Sequence, residues 1–581
     1  MAMDLRAARN AAVSALTTSE YQTSISSKNI ANASVEGYSV KRSASQTTMS
    51  GGVATGVRAD KVSSYMNEDL VKSLVDATSR HAYSTTKSAY LEKTLNTFGT
   101  PYSADSLSHK TVNVQAAVGD LVVTPESTTQ KEAAVSSFGT LADELNTLSD
   151  GIQKQRTQID SQIDQKVDEL NQKLANIESL NAEISTRTVK GESTADLQDR
   201  RRIELEEVSS LLEVTYFETA NKELHIYTTD GKPLVDSHAR ELSYTPAGTV
   251  TSGTAYPGGF DAVVLSGRDI TGSLKSGEIG ALIELRDDTL VAKQAELDAF
   301  AKTLIDGVNA AHNVGTPNPP LNAVTGSEVQ IPGNAFSGTG TMRLALVDST
   351  GIAVSVADLD LSLYPTNQQL ADAINAIPGL SAGFDAGGHL TISSDNPSLG
   401  VSVGEMDSAV GASGIGVSSF FGFNSVFTGT SSDTIAVHQD LIDNPKHLST
   451  GQLNAAAGLT VGDQALSAGD ASVAQAMEEA LSQDYAFGQI GDLGAQTSTL
   501  SEYATSILSS LSVEASIVDD AAQTEALVHD DLKLQLNNES GVNLDEETAK
   551  ITALEEHYSA SAQVLGVLSE MFDSLLHAVS R

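Results

Sequence analysis

Few groupings in this chain have the composition and spacing of a reaction centre. Gly414-Ile415-Gly416 is the nearest approach to a phosphate-cradling loop, but Val417-Ser418-Ser419-Phe420 follows and supplies no third glycine. The acidic pairs Asp287-Asp288 and Asp519-Asp520 are the obvious source of two carboxylates for hydrolysis, a chemistry that needs the groups to meet only in space. Each pair lies in a helical, polar context and reads as a solvated face. The 11 histidines are dispersed, and neither H-E-x-x-H, an EF-hand loop nor G-x-x-x-x-G-K-[ST] is present. Cys is absent, which excludes disulfides, thiol catalysis, thiolate-bound zinc and iron–sulfur clusters. Asn32-Ala33-Ser34 and Asn538-Glu539-Ser540 match glycosylation sequons, without a secretory signal to give them meaning. The expectation is a non-enzyme with no catalytic, cofactor-binding or metal-ligating residues.

The elements must then carry the function. The 581 residues allow roughly three or four domains of ~150 residues each. The formal charge of −40 disfavours nucleic acid and anionic lipid as partners. No apolar run reaches the ~18 residues of a spanning helix, and Met1–Gln22 lacks the apolar core of a Sec-type signal peptide. Leu5, Ala8, Ala12, Ala15 and Leu16 recur at helical spacing, and Asn29 to Gly37 should end that helix near Ile30. Residues 50–65 read as extended. Helical periodicity from about Ser84 to Arg187 is clearest in Ile159, Ile163, Val167, Leu170, Leu174 and Ile177, with Gly191 as the stop. Residues 212–285 change to period two, with Asp230-Gly231 as a type I′ hairpin signal. Helix returns over 279–312. A Pro-stiffened entry then leads into strands at Met342–Val347, Ile352–Val356, His389–Ser393 and Leu399–Val403, and a capped helix Asn367–Ile377 begins at Thr366. From Leu453 onward the pattern is mostly helical, with a break at Asn537-Asn538 and Ser540-Gly541.

The fold class expected is α+β: a terminal coiled-coil-like helical bundle with β-rich domains inserted in the middle of the chain. The domains expected are 1–60 with 535–581; 61–190 with 281–315 and 445–534 as a helical bundle; 191–280, β-rich; and 316–444, an inserted outer β-rich domain.

The strongest pattern is the last helix. Ile551, Leu554, Tyr558, Ser561, Leu565, Leu568, Phe572, Leu575 and Val579 alternate steps of three and four without a slip, an a/d seam. Burying its eight apolar members is worth on the order of 12–24 kcal/mol as an upper bound, so the helix needs a partner. The Leu5, Ala12 and Leu16 stripe, in the same or a neighbouring copy, is the candidate. Residues 1–100 carry net charge +3 and residues 451–581 carry −18, which favours pairing of the ends within or between copies.

Asn29-Ile30-Ala31-Asn32-Ala33, followed by Gly37-Tyr38-Ser39, resembles the N-terminal signature shared by bacterial flagellar rod, hook and hook-associated proteins. The interior resembles the hook-associated protein 1 family: Asp196-Leu197-Gln198-Asp199-Arg200-Arg201, Leu224–Tyr227, Gly231–Val235, Gly277–Leu282 with Leu285-Arg286-Asp287, Val308–His312, and Ser540–Glu547 before Tyr558. The departures are Ala311 in place of a common Gln, Glu555-Glu556-His557 before Tyr558, and Val40 where Arg is usual. The resemblance implies a structural subunit of the hook–filament junction, exported by the flagellar type III apparatus to the bacterial flagellum. Its termini would form the inner layer of a ring or tube. Its partners would be further copies of itself, the hook protein, a second junction protein on the filament side, and an export chaperone on the helix bearing Ile551 to Val579. Asn29, Asn32 and Gly37 would either set the turn that leaves this layer or do ordinary loop chemistry, and Tyr38 would be either an interfacial anchor or a packed loop residue. Open alternatives are a hook or rod protein, a secreted adhesin using residues 316–444, and a muralytic hydrolase.

Overall fold

The computed structural model describes residues 2–50, 52–100 and 103–579. Helix α1 (Ala2–Ala31) leads into two short antiparallel pairings, Ser45–Ser50 with Val53–Ala59 and Lys41–Arg42 with Ser63–Ser64. Helix α2 (Glu68–Phe98) starts where the Asn67 side chain accepts from the Asp69 and Leu70 amides, satisfying donors that helix geometry leaves free. Helix α3 (Leu107–Val123) is capped by Ser106. Helix α4 (Thr128–Lys190) runs 63 residues, about 95 Å at 1.5 Å per residue, and stops at left-handed Gly191 as its sequence predicts. Its six-residue stripe from Ile159 to Ile177 is fully buried. Helix α5 (Ala195–Leu211) follows.

Strands Val214–Glu218, Leu224–Thr228 and Pro233–Val235 form an antiparallel sheet whose inner face packs on the helices. The hairpin after Thr228 differs from expectation. Only Gly231 has a positive φ (81°), and its N–H donates to the Thr228 carbonyl, so a glycine bulge closes a three-residue loop instead of a type I′ turn. Helix α6 (Gly277–Glu284) passes through a π-helical turn, Leu285–Thr289, into α7 (Leu290–Asn313). The extra residue in that turn rotates Arg286 into the interior, where its guanidinium grips Asp287 with two bonds of 2.8 Å. Asp287 is therefore drawn inward, contrary to the solvated face expected of it, whereas Asp288, Asp519 and Asp520 are exposed.

The expected α+β architecture holds, with helical ends and a strand-rich middle. The apolar clusters divide the chain differently from the expected boundaries. Residues of the 191–280 stretch share one cluster with the helices, as do Val426, Phe427, Ile435, Val437, Leu441 and Leu448. A separate cluster lies within 324–423. It is built on the sheets Ala323–Thr325/Leu390–Ser394/Leu380–Phe384 and Ala353–Asp360/Thr341–Val347/Gly400–Gly404, with helices α8 (Asn367–Asn375) and α9 (Val417–Phe421). Helix α10 (Gln439–Asp443) belongs to the bundle side. Leu453, Leu459 and Leu466 are not helical: they cover Ala345, Val347 and Ala353, on a glycine-punctuated segment that folds as a loop. Helix resumes at α11 (Ser472–Ser482) and α12 (Leu500–Ser540), the latter opened by a Thr499/Glu502 capping box. It runs unbroken through Asn537-Asn538, and the chain turns at 541–543 into α13 (Leu544–Val579).

The neck to the inserted domain is held by the end of α7. Asn309 accepts from the Val426 and Phe427 amides and donates to the Phe427 carbonyl, and Asn313 accepts from the Asn424 amide. His312 is buried between the strands of the neck: Nε2 accepts from the Ser449 amide at 2.8 Å, and Nδ1 donates to the Asn424 carbonyl. This pairing requires neutral imidazole. Burial pushes its pKa from 6.5 down to about 4, and nearby Lys131 acts in the same direction. The unfolded chain then binds the extra proton first. The stabilisation is complete above pH 6.5 and declines as pH falls toward 4, by about 1.4 kcal/mol per unit. Urea titrations at pH 7.5, 6.5 and 5.5 should show this decline in the parent chain and a shallower one in His312→Gln, which should be less stable at pH 7.5.

Candidate assembly interface: the paired chain termini

Helices α1 and α13 pack along one another. The Val40 amide donates to the Ser540 carbonyl at 2.8 Å, which places the exit of α1 beside the entry of α13, so the pair runs antiparallel. Leu5, Ala12 and Ile25 on α1 and Leu554 and Leu568 on α13 are buried. Leu16, Ile30, Ile551, Ser561, Leu565 and Phe572 are half-buried, while Tyr558 and Leu575 are exposed. The Val579 side chain lies outside those described. A single partner helix with alanine at contact positions is too narrow to cover the seam. Beside it, Val564, Val567, Met571 and Leu576 are 49–65% exposed. The ends thus retain a contiguous apolar surface of the kind that marks a protein–protein contact.

The N-terminal motif has a defined structural task. Asn29 is fully buried, and its side-chain amide replaces a strand neighbour: Nδ2 donates to the Lys41 carbonyl at 2.9 Å and Oδ1 accepts from the Lys41 amide at 3.0 Å. The same Oδ1 accepts from the Tyr38 hydroxyl at 2.9 Å. Asn32 donates to the Lys28 carbonyl at 2.8 Å, closing the end of α1, whose last residue Ala31 is exposed. Gly37 has φ +74°, a conformation that favours glycine, and a Cβ there would sit 2.7 Å from Ile203 Cδ1 and displace that side chain. Its carbonyl accepts from Arg202 at 2.8 Å.

Sequence reasoning missed what fixes this loop to the rest of the molecule. Asp199 on α5 accepts from the Ser39 amide at 2.9 Å, from the Ser39 hydroxyl at 2.6 Å, and from the Lys41 ammonium. Both charged side chains are less than 10% exposed. Lys41 also donates to the Ala195 carbonyl at 3.1 Å and to Ser39 Oγ at 3.0 Å. Two residues on, Arg201 reaches Asn181, the Lys222 carbonyl and Glu218, tying α5 to α4 and the sheet. The signal was the Asp196–Arg201 motif, recognised without a role. Tyr38 lies at the centre of the latch. Its phenol is pushed up to about 12 by burial and by the carboxylates of Asp196, Asp199 and Glu547, so it stays a neutral donor. Lys41 stands 5.0 Å from its ring centroid. On the far side, Lys533 on α12 pairs with Glu36 at 2.5 Å.

Among the described residues, no cluster of His, Cys, Asp or Glu is arranged to hold a metal, and no helix is long and apolar enough to cross a membrane. The arrangement can seat the chain ends and present an apolar face of the kind used in protein–protein assembly. Residues 91–326 match the family model described as the flagellar hook-associated protein FlgK helical domain. The chain is 23% identical over 595 positions to flagellar hook-associated protein 1 of Escherichia coli K12, covering 98% of this chain and 99% of that one. It is 24% identical over 596 positions to flagellar hook-associated protein 1 of Salmonella typhimurium LT2, with the same coverage. The solved flagellar hook junction protein FlgK of Burkholderia pseudomallei superposes with a TM-score of 0.47 at 16% identity, over 80% of this chain and 99% of that one. Residues 91–326 are thus similar to the helical domain of flagellar hook-associated proteins, and the similarity to the curated relatives takes in 98% of the chain.

Asp199→Ala would remove the buried counterion of Lys41 and leave only the solvent-exposed Asp196 carboxylate, 3.7 Å away, at a cost of up to about 3–5 kcal/mol to the latch. Limited proteolysis should cut between residues 35 and 65 faster in Asp199→Ala than in the parent. Lys41→Met with Asp199→Leu should recover much of the resistance.

Proposed function

We propose that this chain is a structural subunit of the bacterial flagellum, seated at the junction between hook and filament. The observation that carries the reading is the end-to-end similarity to curated hook-associated proteins 1, which takes in both termini as well as the helical domain. The similarity favours this reading over a rod or hook protein or an adhesin. The role is structural and not catalytic. In this reading residues 1–60 and 535–581 form the inner layer of a ring or tube. The helical bundle surrounds that layer, and the 316–444 region faces outward. The chain leaves the cell through the flagellar type III apparatus. Its neighbours are other copies of itself, the hook protein and a second junction protein. An export chaperone covers the exposed stripe of α13 beforehand, since an apolar helix face of this length needs a cover in the cytoplasm.

The test is electron microscopy of a strain deleted for the gene, with filament protein assayed in the medium. Hooks without filaments, with filament protein shed, is the expected outcome; intact filaments would overturn the reading. In the deletion strain, Leu568→Asp should fail to restore filaments. The purified variant should keep the circular dichroism of its inserted domain and bind the chaperone at least about tenfold more weakly, a loss of about 1.4 kcal/mol or more.

A further inference from the structure

Helix α12 changes character along its length. Up to Leu511 it is anchored by Leu500, Tyr503, Ile507, Leu508 and Leu511, all buried. Beyond that point only Ala522, Leu536 and Ser540 are buried. The inner face is mixed: Ala515, Val518, Leu532 and Leu536 pack on the core, while toward α2 Asp519 accepts from Ser88, Glu525 pairs with Arg80 at 3.1 Å, His529 stacks on His81 and Glu539 accepts from Asn67. The face turned to solvent is apolar, with Val513, Ile517, Leu527 and Leu534 each 58–74% exposed. At about 100° per residue these four fall within about 60° of one line, opposite Ala522. An amphipathic helix normally keeps such a stripe of large apolar side chains out of water.

We infer that the outer face of α12 beyond Leu511 is a docking surface for the N-terminal face of a second copy of this chain. The inference rests on the assembly reading above and names the surfaces that meet. Charge selects the occupant. Helix α12 carries eight carboxylates against Lys533 alone, and Asp520 and Asp531 are interleaved with the apolar stripe. In a chain of net charge −40, the complementary face is the one that begins it. Arg6 and Arg9 are exposed on α1, about two turns and one turn before exposed Val13. Ser14, the next residue, accepts from the Val57 amide at 3.0 Å, which lays the hairpin bearing exposed Arg58 and Met49 alongside. Within one copy α1 is occupied by α13 and the hairpin, and α12 by α2, so the acidic–apolar and basic–apolar faces stay apart. Two different faces meeting between copies make a head-to-tail contact, which closes a ring or extends a tube.

The absence of native cysteine makes the test clean. Ile517→Cys and Val13→Cys full-length chains are co-expressed in the deletion strain, and disulfide-linked dimers are counted in isolated flagella. Leu363→Cys, exposed on the inserted domain, is the control. The mixed pair should give about tenfold more dimer than either variant alone or the control, because docking raises the effective thiol concentration. Reversing Asp520 and Asp531 to Lys in the Ile517→Cys chain should abolish the excess, and reversing Arg6 and Arg9 to Glu in the Val13→Cys chain should restore it. Dimers from Ile517→Cys alone, an internal bond in the double-cysteine monomer, or no excess in flagella that do contain the variants would each overturn this surface while leaving the proposed function standing. Absence of the parent chain from intact flagella would overturn the proposed function itself.

Discussion

The buried pair of Lys41 and Asp199 is the constraint on which the terminal half of the molecule depends. An ammonium and a carboxylate withdrawn from water are stable only if their remaining hydrogen-bonding capacity is met. Here Ser39 supplies two donors to Asp199, and the Ala195 carbonyl receives Lys41. Those partners fix the path of residues 37–41. That path places the Tyr38 hydroxyl and the Lys41 backbone on Asn29, and the Val40 amide on the last turn of α12. Through these bonds the Lys41–Asp199 pair links the end of α1 to α5 and to the last turn of α12.

Asparagine does related work elsewhere. Along α4, Asn146, Asn171 and Asn181 each donate to a backbone carbonyl of a neighbouring segment, at Ile435, Leu242 and Leu224. Asn171 and Asn181 also accept the amide of the residue they grip. With Asn29 and Asn309 they form a set in which a side-chain amide takes the place of a missing strand. The planar amide offers one donor and one acceptor at peptide spacing, so it can end a backbone segment in the interior without leaving unpaired groups. Short segments such as 426–437, whose own antiparallel pairing is only two residues long, are anchored in this way.

Periodic signals were legible in the sequence, and partnerships were not. The stripe of α4 and its stop at Gly191 follow from local spacing and from glycine's access to positive φ. The seam from Ile551 to Val579 was equally plain, but spacing says only that a helix needs cover, and the structure shows α1 covering it in part. Residues 453–466 carried enough Ala and Leu to suggest helix, yet Gly458, Gly462 and the sheet face they cover decide otherwise. The π turn at Leu285–Thr289 shifts Arg286 and Asp287 by one position, which no count of threes and fours contains. The latch was invisible for a different reason: Lys41 and Asp199 are 158 residues apart, and only the motif around Asp199 marked the place.

Helix α4 has a mechanical consequence. It is one unbroken member about 95 Å long. Near its start Lys131 and Asn146 grip the segment that returns from the inserted domain, and near its end Asn181 meets the sheet and Arg201 of the α5 motif. A bent or jointed connection would absorb a load on the outer domain as local deformation. A continuous helix instead carries a load from the inserted domain to the root of the terminal pair with little loss, so the molecule has a stiff lever between that domain and its chain ends.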